Sequence, residues 1–187
     1  MTPPESLTDE QLVERIRTED QELYRHIVVR YEARLMRYAL TILKNATSAE
    51  DVLQSSFLKA FMNLRGFNTK RTFSSWIYRI VHNEALNYLK KHRRELPLDD
   101  VPEIQTMPDE SESLDDAVDR RHIREQLESS LASLPLSYRE PLTLYYLDDR
   151  SYQDISEILQ MPIGTVGTRI SRGLRLLRTI STLHPHD

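Results

Sequence analysis

Four arginines recur at every third position in the segment "PIGTVGTRISRGLRLLR" near the C-terminal end of the chain. They are Arg169, Arg172, Arg175 and Arg178. Although the whole chain has a net charge of −4, no aspartate or glutamate occurs between Pro162 and His186. A guanidinium group can donate paired hydrogen bonds to a phosphate or to the edge of guanine. The segment therefore favours contact with DNA, and the alternative is an amphipathic helix that only faces solvent.

A second segment, residues 65–94, combines aromatic rings with positive charge. It holds eight lysines and arginines against one acid, Glu84, for a net charge of +7. Its aromatic residues include Phe67, Phe73, Trp76, Tyr78 and Tyr88. Such a combination suits single-stranded DNA, because unpaired bases stack on rings while cations neutralise the backbone. Alternatively, Trp76 and its apolar neighbours form core, and the basic cluster at 90–94 only complements a helix C-terminus.

Residues 95–119 carry the opposite charge, with ten acids and no base. Residues 95–113 also contain three prolines and show no hydrophobic period, which predicts a flexible acidic linker. We therefore expect an N-terminal domain at 1–95, a linker at 96–113 and a C-terminal domain at 114–187. A basic surface followed by an acidic tether is one interpretation of these blocks; a charged helix end beside a charged loop is the other.

The composition argues against several classes of protein. There is no cysteine, and the six histidines show no ligand spacing, so we expect no metal site and no cofactor. No phosphate-binding glycine loop or nucleophile motif occurs, and we expect no enzymatic activity. No apolar run approaches the roughly 18 residues that cross a bilayer, so no membrane insertion is expected. The first residues lack a signal sequence, which predicts a cytoplasmic location.

The elements that must position these segments are helices. Only four glycines occur, and no alternating strand pattern is sustained, so we predict an all-α fold of two helical domains. The predicted helices span 8–18, 21–44, 48–65, 73–93, 114–133, 138–147, 151–160 and 163–181. Capping boxes are expected at Thr8–Gln11, Ser48–Asp51, Ser113–Asp116, Ser137–Glu140 and Ser151–Asp154. Apolar stripes are expected in the second helix at Leu23, Ile27, Tyr31, Leu35, Ala39 and Ile42, and in the third at Val52, Phe57, Ala60, Phe61 and Leu64.

Residues 151–178 have the pattern of a helix-turn-helix. "QMP" permits only a sharp turn, and Pro162 suits a first helical position. The expected inward-facing residues are Ile155, Ile158, Leu159, Ile163, Val166, Ile170, Leu174 and Leu177. The second helix then presents small hydroxyls and guanidiniums to the major groove. These outward residues are Thr165, Thr168, Arg169, Ser171, Arg172, Arg175 and Arg178.

Four segments, in this order, resemble the extracytoplasmic-function sigma factors of bacterial RNA polymerase. They are "NATSAEDVLQSSFLKAFMNLRGF", "TFSSWIYRIVHNEALNYLKKHRR", "LPLSYREPLTLYYLDDRSYQDISEIL" and "MPIGTVGTRISRGLRLL". The resemblance spans about residues 20 to 180. It implies a factor that binds core polymerase, directs it to specific promoters and opens the DNA.

The resemblance also implies a role for individual residues. The core-polymerase contact would use Asp51, Gln54 and Leu58. The minus-ten element, melted to single strands, would meet Phe67, Asn68, Lys70, Arg71, Phe73, Trp76, Arg79, Asn83, Lys90, Lys91, Arg93 and Arg94. Within this set, the 67–76 loop and Asn83 would capture a flipped base. The duplex minus-thirty-five element would meet Thr165, Gly167, Thr168, Arg169, Ser171, Arg172 and Arg175.

The implied partners are the β′ clamp and the β flap of core polymerase, duplex and single-stranded promoter DNA, and an anti-sigma factor. The linker would thread toward the active-site and RNA-exit path of the polymerase. The chain departs from the family pattern in three respects. Gly167–Thr168 stand where a basic residue and then serine are usual, Gln160 where a helix-ending glycine is common, and Asn87 and Ser55 where acids are frequent.

One further interpretation remains open at the level of sequence. A stand-alone helix-turn-helix regulator, with an N-terminal domain for sensing or dimerisation, would explain residues 137–180. It would not explain why aromatic and basic residues are combined in residues 65–94.

Overall fold

The computed structural model describes residues 3–92 and 130–183, and within these ranges every regular element is helical. The chain divides into two compact units. The N-terminal unit is built on α1 (Asp9–Thr18), α2 (Tyr24–Leu43), α3 (Ala46–Asn63) and α4 (Phe73–Lys91). The C-terminal helices are α5 (Leu136–Leu142), α6 (Tyr152–Leu159) and α7 (Ile163–Leu183). The prediction of an all-α fold is confirmed.

Several sequence predictions lie outside the described residues. These are the linker at 96–113, the Ser113–Asp116 capping box, Arg93 and Arg94, and all but the end of the helix expected at 114–133.

The first helix begins at a predicted capping box. The Gln11 N–H donates to Thr8 Oγ1 over 3.2 Å, and the Thr8 N–H donates to Gln11 Oε1 over 3.0 Å. Two amides that would otherwise lack partners are thereby satisfied. Leu12, Val13 and Ile16 are buried, and α1 packs against α2 and α4. The N-terminal helix is thus an integral part of its unit.

Helices α2, α3 and α4 pack on one another and form the centre of the N-terminal unit. The stripe predicted for α2, from Leu23 to Ile42, is buried as expected. On α3 the prediction that Phe61 is buried is wrong, since 36% of its surface is exposed. Ala60 lies on the buried face, and Phe61 follows it by one residue, which rotates its side chain by about 100°.

Tyr24 joins the start of α2 to α3. Its hydroxyl donates to the Phe57 carbonyl over 2.8 Å, and its ring centroid lies 5.0 Å from that of Phe61. Burial raises the pKa of the Tyr24 hydroxyl, because the phenolate would be poorly solvated there. The hydroxyl therefore remains a hydrogen-bond donor at neutral pH.

Two predicted capping boxes are wrong. Helix α3 begins at Ala46, because Asn45 Oδ1 accepts a hydrogen bond from the Ser48 N–H over 2.9 Å and takes the capping role. Ser48 therefore lies within the first turn, and its hydroxyl donates to the Tyr88 hydroxyl instead. Helix α5 begins at Leu136 after Pro135 and has no side-chain cap, so Ser137 and Glu140 do not form a box.

The C-terminal unit contains the predicted helix-turn-helix, with one change in the element before it. The helix expected at 138–147 ends at Leu142 and continues as a π-helical segment, Thr143–Leu147. The Ser151–Asp154 capping box is present and starts α6. The predicted inward-facing residues are buried except Ile163, of which 45% is exposed. Ile163 is the first residue of α7, so no preceding helical turn covers it.

Replacing Gly173 by alanine should destabilise the C-terminal unit. A Cβ atom there would lie 2.7 Å from Leu142 Cδ1 and 3.2 Å from Tyr138 Cβ, and Leu142 is fully buried. Overpacking of this kind costs about 1–3 kcal/mol. Hydrogen exchange of the α5 and α7 amides measures the loss. Gly164→Ala is the matched control, since nothing lies within 4 Å of its Cβ position. If these amides are equally protected from exchange in the two variants, α5 and α7 do not approach closely at Gly173.

Replacing Gln160 by glycine should have the opposite effect. Gln160 ends α6 in the left-handed conformation, with φ 53° and ψ 46°. An L side chain costs about 1 kcal/mol there, so Gln160→Gly should stabilise the C-terminal unit by this amount. Urea unfolding followed by circular dichroism is the measurement. Gln160→Ala keeps the Cβ and should bring no such gain, and equal stabilities for the two variants would contradict the prediction.

Candidate nucleic-acid interface

An open cleft lies between α3 and α4 in the N-terminal unit. Its volume is about 390 Å³. The lining residues come from both helices and the turn after α3: Lys59, Asn63, Gly66, Trp76, Ile80, Asn83 and Glu84. Trp76 and Asn83 are seven residues apart on α4 and therefore lie on one helical face. The cleft thus combines an aromatic ring with an exposed amide that can both donate and accept hydrogen bonds.

The charge of the cleft is set by an ion pair between its two helices. Lys59 Nζ lies 2.6 Å from Glu84 Oε1, and the Glu84 side chain is mostly buried. Glu84 is the single acid within residues 65–94, and this ion pair neutralises its charge. The other charged residues of the segment are all basic, which suits an anionic ligand.

Three aromatic rings form a cluster beside the cleft. The ring centroids of Phe67, Phe73 and Trp76 lie 5.0–5.5 Å from one another. Phe67 and Phe73 are buried, whereas Trp76 is half-buried and lines the cleft. The rings of Phe67 and Phe73 are thus used in packing inside the unit and against Trp76, and their contact with minus-ten DNA stays a prediction.

The loop before α4 presents the predicted polar residues. The Lys70 N–H donates to Asn68 Oδ1 over 3.0 Å, and the Arg71 N–H donates to the Asn68 carbonyl over 2.9 Å. This turn leaves Asn68, Lys70 and Arg71 exposed. Further along α4, Arg79 is half-exposed, and Lys90 and Lys91 are exposed in the last turn.

The outer face of α3 carries the residues expected to contact core polymerase. Asp51, Gln54 and Leu58 are exposed, and their spacing of three and four residues places them on one face. The exposed fraction of Leu58 is 61%. Met62, one turn further on, is 69% exposed and was not predicted. The sequence offered a signal for it, since Met62 follows Leu58 by four residues.

Helix α7 presents its predicted outward residues around a shallow groove near its first turns. The groove has a volume of about 330 Å³. It is lined by Ser137, Tyr138, Gly164, Thr165, Thr168, Arg169 and Arg172. Ser137 and Tyr138, on α5, were not expected here. The Thr168 hydroxyl donates to the Gly164 carbonyl over 2.9 Å, so towards a ligand it offers its acceptor lone pairs.

The remaining outward residues of α7 lie beside this groove. Ser171 and Arg175 are exposed, and Gly167 is half-exposed. A Cβ at Gly167 would meet Tyr152 Cε2 at 3.5 Å, an ordinary contact, so packing does not require glycine at this position.

The described residues contain neither a candidate metal site nor a candidate membrane span. Within 3–92 and 130–183, no group of histidine and carboxylate side chains could hold a metal ion. No helix in the same ranges has the length and apolar character of a membrane span.

Comparison with known proteins identifies the family of both halves of the chain. The Sigma-70 region 2 profile matches residues 27–95, and the Sigma-70, region 4 profile matches residues 124–177. The chain is 31% identical over 173 residues to the ECF RNA polymerase sigma factor SigW of Bacillus subtilis (strain 168), covering 89% of this chain and 92% of SigW. It is 34% identical over 175 residues to the ECF RNA polymerase sigma-E factor of Escherichia coli (strain K12), covering 90% and 91%.

The fold is also similar to that of a solved sigma factor. This solved neighbour is the sigma factor RpoE from Bartonella quintana, in complex with the anti-sigma factor NepR. The TM-score is 0.64 at 23% identity, and the match covers 85% of this chain and 96% of the other.

These matches decide between the two interpretations that the sequence left open. The region 2 match covers α2, α3 and α4, so the N-terminal half is a sigma domain and not the sensing or dimerisation domain of a stand-alone regulator. The chain therefore belongs to the extracytoplasmic-function sigma factors: it is an alternative sigma factor, not an enzyme, that binds core RNA polymerase, directs it to specific promoters and opens the DNA.

Proposed function

We propose that the cleft between α3 and α4 captures an unpaired base of the minus-ten element while the promoter opens. The observation that carries this proposal is that the exposed Asn83 amide and the Trp76 ring, two helical turns apart on α4, line the same cleft. An amide can pair with a base edge, and an indole ring can stack on its face. In closed duplex the same base is paired and stacked, so the cleft favours the open state.

Basic residues of α4 and of the loop before it would hold the phosphates of the melted strand. Lys70 and Arg71 lie in the loop before α4, and Arg79, Lys90 and Lys91 lie along that helix. Arg93 and Arg94 extend the series in the sequence. The surface that we propose for minus-ten DNA includes Asn68 and Trp76, and it omits Phe67 and Phe73, whose rings are buried.

The outer face of α7 would read the minus-thirty-five element in the major groove. Thr165, Thr168, Arg169 and Arg172 line its groove, and Ser171 and Arg175 are exposed next to it. Guanidiniums favour guanine edges and phosphates, whereas threonine hydroxyls accept from base amino groups.

The outer face of α3 would bind the β′ clamp of core polymerase through Asp51, Gln54 and Leu58, with Met62 as an extension. The C-terminal domain, 114–187, would meet the β flap, and the N-terminal domain, 1–95, would hold the clamp and the minus-ten strand. The acidic linker, 96–113, would pass through the polymerase between them.

An anti-sigma factor is a further proposed partner. The similar sigma factor of Bartonella quintana was solved with the anti-sigma factor NepR, which supports a comparable partner for this chain. A chain that works with RNA polymerase would act in the cytoplasm.

The minus-ten proposal is tested by comparing two forms of one promoter. The promoter is first selected by in vitro transcription of genomic fragments with core polymerase and this chain. Fluorescence anisotropy then measures how tightly the holoenzyme binds the labelled non-template minus-ten strand, alone and in duplex. We expect clear preference for the single strand, and equal affinity for the two forms would contradict base capture.

Replacing Leu58 by aspartate should weaken binding to core polymerase. Burial of a leucine side chain contributes about 1.5–3 kcal/mol, so we expect the affinity for core to fall at least tenfold. Val29→Asp is the matched control, because Val29 is 77% exposed on α2, outside the proposed face. A competition assay against a labelled wild-type factor measures both. Equal affinities for the two variants would place the core contact elsewhere.

A further inference from the structure

Helix α1 supplies hydrogen bonds to the end of α3. The Arg17 guanidinium donates to the Leu64 carbonyl, with Nε at 2.9 Å, and also to the Phe67 carbonyl through Nη2. It lies 6.0 Å above the centre of the Phe67 ring, and its side chain is mostly buried. These carbonyls belong to the turn that follows α3, in which the Leu64 carbonyl also accepts a hydrogen bond from the Phe67 N–H over 3.2 Å.

The same helix also caps the beginning of α4. Thr72 occupies the N-cap position but makes no side-chain capping hydrogen bond. Instead, the Phe73 N–H donates to Glu10 Oε1 over 2.9 Å. A carboxylate at a helix N-terminus is favoured both by this hydrogen bond and by the helix dipole. The cap of α4 is therefore provided by a residue 63 positions earlier in the chain.

Glu10 and Arg17 are seven residues apart, so they lie on one face of α1 at a separation of about 10 Å along its axis. Between the two points that they hold lies the loop with Asn68, Lys70 and Arg71. Helix α1 is itself fixed to α2, because Asp9 accepts hydrogen bonds from Arg30, over 2.8 Å, and from the Tyr31 hydroxyl. The loop is thus held at both ends by a rigid helix.

We infer that Glu10 and Arg17 are positioning residues for strand capture: together they set the conformation of the loop at 68–72 before DNA arrives. The inference rests on the proposed minus-ten function and extends it to a helix that lines no part of the cleft. A loop held in its binding conformation loses less entropy when it orders on a single strand. Without its two anchors, the loop would bind the strand more weakly, while the α3 face that contacts core would be unchanged.

The test uses holoenzyme and the labelled non-template minus-ten oligonucleotide. Glu10→Ala and Arg17→Ala should each bind it about tenfold more weakly, the equivalent of one charge-assisted hydrogen bond. Glu10→Gln should recover most of the loss, since its amide oxygen can still accept from the Phe73 N–H. Arg17→Lys should recover only part of the lost affinity, because one ammonium group cannot reproduce the forked guanidinium that bonds to two carbonyls. Glu19→Gln, at the C-cap of α1, is the control for loss of a negative charge near this helix, with a side chain half-exposed to solvent.

If Glu10 and Arg17 only stabilised the fold, their replacement would weaken the binding of core polymerase and of the oligonucleotide alike. All affinities are measured well below the melting temperature of every variant, together with the affinity for core. Wild-type binding of the oligonucleotide by both alanine variants would overturn the inference. So would a parallel loss of core and oligonucleotide affinity. If wild-type holoenzyme itself does not prefer the single strand, the minus-ten proposal fails first, and this inference fails with it.

Discussion

Replacing Asn83 by alanine should slow open-complex formation about ten- to hundredfold, as expected from the loss of a bidentate base contact of about 1–3 kcal/mol. The amide is exposed at the cleft, and alanine removes both its donor and its acceptor. Core binding and minus-thirty-five binding should remain, because Asn83 lies on neither the outer face of α3 nor on α7. Permanganate reactivity of promoter thymines, followed over time, measures the opening rate.

The control for this prediction is Asn87→Ala. Asn87 is also exposed on α4 but does not line the cleft. Its removal changes the same chemical group on the same helix, so a general effect on α4 would affect both variants. If Asn83→Ala melts promoters at the wild-type rate, the capture site lies elsewhere.

Replacing Arg172 by alanine should act on the closed complex instead. Arg172 lines the groove of α7, and a guanidinium contact to a base or phosphate contributes about 1–3 kcal/mol to DNA binding. We expect holoenzyme affinity for duplex promoter to fall about tenfold or more. If the contact is to a phosphate, the slope of log affinity against log salt should also fall by about one.

A pre-melted template separates this defect from a defect in opening. With a bubble across the minus-ten region, the C-terminal contact is less limiting, so transcription by Arg172→Ala should approach that of wild type. Arg178→Ala is the control, since Arg178 is exposed on the same helix but does not line the groove. A loss that persists equally on bubble and duplex templates would remove Arg172 from promoter reading.

Local patterns in the sequence predicted most of the helices. The α2 stripe was correct because a period of 3.6 residues reports directly which face is buried. The boxes at Thr8 and Ser151 were also correct, since both partners lie within one turn. The Ser48 box failed because Asn45, three positions earlier, caps the helix by accepting from the Ser48 N–H, which places Ser48 within the first turn.

Features that depend on packing between distant segments could not be read in this way. Interleaved aromatic and basic residues did not reveal that Phe67 and Phe73 turn inward while Trp76 lines a cleft. The ion pair of Lys59 with Glu84 and the cap of α4 by Glu10 join residues far apart in the chain. Family resemblance selected Asn83 from the sequence, and its spacing from Trp76 places both on one face of α4, but the cleft on that face required the geometry of α3 against α4.

The most direct test of the central claim is permanganate footprinting of a duplex promoter with core polymerase and this chain. The claim is that the N-terminal cleft stabilises melted minus-ten DNA. We predict reactive thymines in the minus-ten region only when both components are present, with reactivity strongly reduced by Asn83→Ala and retained by Asn87→Ala. Absence of reactive thymines with the wild-type chain, or equal reactivity in all three proteins, would contradict the claim.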